Sequence, residues 1–173
     1  SAFVATGDAF YMIDGDECLL LEPRTGEEIG RIGFPGVEGK LHWLALSDGV
    51  LYALAGGKGS SARTTRVGRR QGHWSWQALS PGYYEDPIPW GFGRTLTAYD
   101  TEKDRMLWTH REEEAIDSRA VGICGGRLYF YSPGSRVCCL DAKTGRPRWQ
   151  SDGKSVLEAI EQPGKGLLST PGF

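Results

Sequence analysis

The sequence predicts an all-β fold built from repeated four-stranded sheets, and three observations carry that prediction. A turn motif recurs three times, and a strand–turn–strand unit precedes each copy. Glycine supplies 25 of 173 residues, while none of the repeated units holds the 3.6-residue apolar period of a helix.

The clearest copy of the turn motif runs from Val137 to Trp149, the second from Leu96 to Trp108, and the first, more worn, from Cys18 to Gly30. In each, an acid (Glu22, Asp100, Asp141) is followed four residues on by Gly26, Asp104 or Gly145, and four further on by Gly30, Trp108 or Trp149. An acid opening a turn accepts hydrogen bonds from the backbone N–H groups just ahead of it. The residue closing the turn needs φ > 0, which glycine reaches without strain and aspartate tolerates better than most. That is a short-loop hairpin. The Trp then falls on the returning strand, where a flat ring can wedge between neighbouring sheets.

The unit ahead of each hairpin covers Val4–Ile13, Leu44–Leu54 and Val121–Tyr131. Each is a short apolar strand, a Gly/Asp turn and a strand centred on Tyr11, Tyr52 or Tyr129. Tyr11 to Glu22 is 11 residues and Tyr129 to Asp141 is 12, but Tyr52 to Asp100 is 48, so the middle copy carries about 36 extra. The underlying repeat is 41 residues, as Trp108 to Trp149 shows. Four strands in such a period is the pattern of a β-propeller blade. The expectation is a single propeller segment over residues 1–173. Its blades lie at about 2–31, 41–110 (with an insertion at 58–93) and 119–150, and a partial fourth starts at 166–173. Closed propellers have at least four blades, so this reads as a piece of a larger one, seven- or eight-bladed. Its open edges could also pair with another chain.

Composition narrows the function classes. Apolar content of 39% and charged content of 24% are ordinary for a globular protein. A net charge of −2 gives no reason to expect nucleic acid or a membrane surface as partner. No apolar run approaches 18 residues, so no membrane span is expected. The opening residues read as strand, without the pattern of a signal peptide. Cys18, Cys124, Cys138 and Cys139 lack metal-ligand spacing and sit in strand-like stretches, which suits buried free thiols. A Cys138–Cys139 disulfide would distort a strand whose adjacent side chains point to opposite faces. No nucleophile elbow, phosphate loop or paired-histidine metal site is present, so no catalytic or metal residue is assigned.

The Leu140–Trp149 core, Leu-Asp-Ala-x-Thr-Gly followed by Trp149, resembles the repeat of PQQ-like (pyrroloquinoline-quinone) β-propellers. That group contains quinoprotein dehydrogenases and a non-enzymatic outer-membrane assembly lipoprotein. The stretch from Trp90-Gly91-Phe92-Gly93-Arg94 through Ile116–Ala120 to Trp149 resembles PQQ-like propeller proteins of planctomycete-type bacteria. The first copy departs from the pattern at Pro23 and Gly30. The resemblance implies an exported protein, periplasmic or at the cell surface, with a protein-binding or scaffold role and no cofactor. Its alternative implication is part of a quinoprotein holding PQQ with calcium. That would need a carboxylate and amide calcium site and a catalytic Asp, which cannot be placed on these residues. The quinoproteins' vicinal disulfide does not carry over to Cys138-Cys139, which lies within a repeat strand.

Three places could carry binding. The insertion holds Lys58, Arg63, Arg66, Arg69 and Arg70 against Glu85 and Asp86, with Trp74, Trp76, Tyr83, Tyr84, Trp90 and Phe92. Cations interleaved with rings suit an anionic ligand, a glycan or a single strand of nucleic acid. The plainer alternative folds those rings down to seal a blade edge. Secondly, His42 and Arg119 precede equivalent first strands, which in propellers line the central channel, and Asp117 lies beside Arg119. The alternative there is that Asp117 and Arg119 simply pair. Glu112-Glu113-Glu114 nearby reads as a solvated run. Thirdly, by the resemblance Trp108 and Trp149 dock one blade on the next, with Gly26, Gly145, Asp100 and Asp141 shaping the corners. On that reading Trp149→Ala unfolds or aggregates the chain.

Overall fold

The computed structural model describes residues 2–56, 92–132 and 134–161. Among these, three antiparallel sheets of four strands follow one another along the chain. The first holds β1 (Phe3–Ala5), β2 (Phe10–Asp14), β3 (Glu17–Leu21) and β4 (Glu28–Ile32). The second holds β5 (Lys40–Ser47), β6 (Val50–Gly56), β7 (Phe92–Asp100) and β8 (Arg105–Asp117). A 3-10 turn at Ser118–Ala120 leads to the third, β9 (Val121–Cys124), β10 (Arg127–Ser132), β11 (Arg136–Asp141) and β12 (Pro147–Ser151). Each sheet is a meander in which every strand pairs with its neighbours in sequence. The fold is therefore all-β and unclosed, as a partial propeller requires.

Residues 57–91 lie outside the described part, and with them the Arg69, Arg70, Trp74, Trp76, Tyr83, Tyr84 and Trp90 set. So does the partial blade expected at 166–173. Two boundaries differ from expectation. Phe92 and Gly93 belong to β7 and not to the insertion: they pair with Asp117 and Ile116. Gly93 is needed there because a Cβ would lie 2.4 Å from the Ala55 carbonyl oxygen. A helix, α1 (Lys154–Glu161), follows the third sheet where the repeat predicted nothing.

The core lies between the sheets. Tyr11, Cys18 and Ile32 of the first meet Leu44, Leu51, Ala53 and Tyr99 of the second. Tyr52, Leu54, Leu96 and Ala98 of the second meet Leu128, Phe130, Cys138 and Leu140 of the third. Alternation along β6 sends Leu51, Ala53 and Ala55 one way and Tyr52 and Leu54 the other. This explains why β6 reads as an unbroken apolar run: both its faces are covered. Cys138 and Cys139 obey the same alternation, and both are free thiols. Burial pushes the Cys138 thiol up to about 11 and the Cys18 thiol up to about 12. Cys124, expected to be buried, is exposed, because β9 is an edge strand and its side chain points away from the second sheet.

Candidate functional site

A meander places its connections alternately at the two ends of a sheet, so the described loops fall into two groups. At one end lie the acid-led corners between third and fourth strands, beside the turns between first and second strands. At the other lie the second-to-third-strand connections of the first and third sheets, the ends of β6 and β7, and the crossovers between sheets.

The corners are built alike. Glu22 Oε2 accepts from the Arg24 and Thr25 amides at 2.8 and 2.6 Å. Asp100 Oδ1 accepts from Glu102 and Lys103 at 3.1 and 2.9 Å, and Asp141 Oδ1 from Lys143 and Thr144 at 3.1 and 3.0 Å. The closing residues Gly26, Asp104 and Gly145 have φ of 73°, 51° and 68°. These donors hold Asp100 and Asp141 below the usual carboxylate range, through Lys103 and Arg148 above all. Two corners are also tied to the neighbouring turn: the Thr101 amide donates to the Gly49 carbonyl and the Ala142 amide to that of Gly126, each at 3.0 Å. In the first corner the corresponding residue is Pro23, which has no N–H to give.

Trp108 joins the second sheet to the third. Its Nε1 donates to the Ala142 carbonyl at 2.9 Å, and Tyr52 Oη donates to the same oxygen at 3.2 Å. Its ring covers Gly145 so closely that a Cβ there would lie 2.6 Å from it. Trp149 takes the same cross-strand place on the third sheet, opposite Cys139 and beside Tyr129, but it is 47% exposed. Expectation placed it in a docked core. Among the described residues no further corner stands in front of it.

The crossover end gathers polar groups. Asp117, 5% exposed, accepts from the Arg119 amide at 3.0 Å and from Nε and Nη2 of its guanidinium at 2.9 and 2.5 Å. Those two residues do pair with each other. Arg119 sits in the 3-10 turn rather than in a strand. His42 lies inside β5, at a register shift between Leu41 and Trp43. It is 8% exposed, and its Nδ1 has no hydrogen-bond partner. Burial, reinforced by Lys40, pushes its pKa down to about 4, so the ring is neutral. No hydrogen bond joins it to the Asp117–Arg119 pair among the described residues.

Glu112 was expected in a solvated run and is instead buried. The register of β7 with β8 jumps from Thr95–Arg111 to Gly93–Ile116, so residues 112–115 bulge. The Glu112 carboxylate is held between His110 Nε2 at 2.6 Å and Arg136 Nη2 of the third sheet at 2.7 Å. Burial opposes its charge, but the bonds from His110 and Arg136 win and lower its pKa. Ser132 Oγ and Arg136 Nε, on facing residues of β10 and β11, are buried without partners. Sequence reading missed this cluster; the signal it offered was His110 and Glu112 on one face of a strand running past Trp108.

Residues 93–167 match a family described as outer membrane protein assembly factor BamB. The crystal structure of BamB from Moraxella catarrhalis superposes with a TM-score of 0.52 at 12% identity, over 86% of this chain and 35% of that one. This is a partial β-propeller. Both findings support a PQQ-like propeller family, and at this identity the structural likeness speaks for the fold alone. The chain spans about a third of the solved relative's length. No curated protein matches it.

Among the described residues, the carboxylates nearest the crossover end are already engaged and do not offer the donor set of a PQQ–calcium site. Asp117 is committed to Arg119, and Glu112 to His110 and Arg136. No group of three or more His, Cys, Asp or Glu converges among the described residues. Cys138 and Cys139 point to opposite faces, so they form no vicinal platform for a quinone.

Proposed function

We propose that this chain is a non-catalytic segment of a PQQ-like propeller serving as a protein-interaction or scaffold module of an exported bacterial protein. The observation that carries this reading is the match of residues 93–167 to a family described as an outer membrane assembly factor. That description also supports a periplasmic or cell-surface location. No helix among the described residues is long and apolar enough to cross a membrane. We assign the partner to the crossover end, where the cation- and ring-rich 57–91 segment leaves β6 and re-enters at β7.

The test is site-specific photocrosslinking in the envelope of a Gram-negative host. One probe replaces Ser135 at the crossover end and one replaces Lys143 at the corner end. A discrete protein adduct from position 135 and none from 143 is expected. Equal labelling from both, or none from 135, overturns the assignment. A rise in melting temperature on adding PQQ with calcium would instead favour the quinoprotein reading. Binding of a glycan or anion that disappears on deleting residues 58–89 would favour a ligand-binding module.

A further inference from the structure

The two boundaries between sheets are closed differently at the same level. Between the first and second, Ile32 stands two residues past Gly30 and pairs with Cys18, and Phe34 follows two residues further on. Both share one apolar core with Ala55 of β6, and all three are at most 6% exposed. Between the second and third, the equivalent places hold polar groups. His110, two residues past Trp108, pairs with Leu96, and Glu112 follows two residues further on. Ser132 of β10 stands where Ala55 stands in β6, three residues past the repeated Tyr. Its cross-strand partner Arg136 stands where Thr95 does.

Polar groups buried at such a boundary need their hydrogen bonds met. The Glu112 carboxylate is satisfied inside the cluster, taking His110 Nε2 on one oxygen and Arg136 Nη2 on the other. Two groups are not. Ser132 Oγ and Arg136 Nε reach no partner in the chain, although both atoms are buried and Ser132 is 0% exposed. Leu128, Phe130 and Ser132 lie on the face of β10 turned to the second sheet, with Arg136 and Cys138 beside them on β11. The unpaired atoms therefore look into the boundary, past the His110 and Phe130 rings, whose centroids are 6.1 Å apart. A buried donor left unpaired pays its full desolvation.

The chemistry of the two atoms selects the occupant. Arg136 Nε can only donate, whereas the Ser132 hydroxyl can donate or accept. An occupant must offer an oxygen lone pair to Nε and be small enough to lie where neither atom meets bulk solvent. Glu112 already answers the Arg136 charge, so nothing is left to hold an anion. Water meets each requirement, and internal waters typically bridge such groups. We propose that a single water molecule is bound between the second and third sheets, accepting from Arg136 Nε and hydrogen-bonded to Ser132 Oγ. It pairs both orphaned groups and holds the guanidinium at Nε as Glu112 holds it at Nη2.

A crystal structure of the whole chain, at a resolution that places ordered water, should show one density peak within hydrogen-bond reach of both atoms. Soaked in bromide, the crystal should give no anomalous signal at that peak; a signal there would mean an adventitious ion only, and the proposal falls. It falls too if Ser132 Oγ and Arg136 Nε bond each other or a backbone carbonyl with nothing between them. In solution, magnetic relaxation dispersion of water oxygen counts long-lived internal waters. Ser132→Val, which replaces the hydroxyl with methyl groups, should lower that count by one, and Ser132→Thr, which keeps the hydroxyl, should leave it unchanged. A folded Ser132→Val with the wild-type count overturns the assignment. If that variant does not fold by circular dichroism, the wild-type crystal decides alone.

Discussion

Trp108→Ala tests the blade boundary most directly, because Trp149 is an internal control at the corresponding position of the next sheet, beside a corresponding Tyr. Truncating a well-buried Trp costs about 3–5 kcal/mol. Trp108 is only partly buried, which places its packing loss near the lower end. Its Nε1 hydrogen bond adds about 1 kcal/mol at most, since the Ala142 carbonyl keeps its bond from Tyr52. The expected total is about 3–4 kcal/mol, or a melting temperature lower by roughly 10 °C in a domain of this size. Trp149, 47% exposed, loses little beyond its contact with Tyr129, so Trp149→Ala should cost about 1 kcal/mol within a single chain. Urea unfolding followed by circular dichroism, at protein concentrations giving a single species, measures both. Equal costs for the two variants would refute the account of Trp108 as the inter-blade anchor.

Further expectations concern other parts of the same frame. Gly26→Ala should lose only the cost of a left-handed alanine, about 1–2 kcal/mol. Gly145→Ala should lose that and about 1–3 kcal/mol more from its Cβ meeting Trp108; thermal melts of the pair read the difference. His42 titrates near 4 when folded and near 6.5 when unfolded, so the unfolded chain takes the proton first. Its stabilising effect is therefore full at neutral pH and shrinks as pH falls from 6.5 towards 4, by about 2 kcal/mol at pH 5. His42→Leu should flatten that part of a stability–pH curve. Glu112→Ala leaves Arg136 half-buried without its carboxylate and should cost about 3 kcal/mol, while Glu112→Gln, which still reaches both partners, should cost less in the same denaturation assay.

The corners were legible in the sequence because their chemistry is local. An acid, two amides and a left-handed residue lie within five positions, so spacing alone specifies the turn. Fold followed from repeating that turn at a constant interval. What depended on neighbours was not legible. Trp108 and Trp149 are equivalent in sequence, and only the presence of a facing corner separates a docked ring from a half-exposed one. Glu112 read as one of three exposed acids because the bulge that turns it towards Arg136 is a register shift, invisible in composition. Asp117 and Arg119 stand two residues apart, so their pairing could be read from the sequence, whereas the burial of His42 depends on a register shift in β5 that spacing does not reveal. The ring- and arginine-rich set between Lys58 and Trp90 lies outside the described residues, so its candidacy rests on the sequence.

Pro23 has a dynamic consequence. In the second and third blades the corner amide clips the outer hairpin to the turn on the inner strands, so the four strands must open together. The first blade lacks that clip, so only the β2–β3 ladder holds β3–β4 to β1–β2, with no bond between the two turns to break. Amide protons there should exchange with solvent sooner than those of β11–β12, and thermal unfolding should begin at the first blade and spread towards the third.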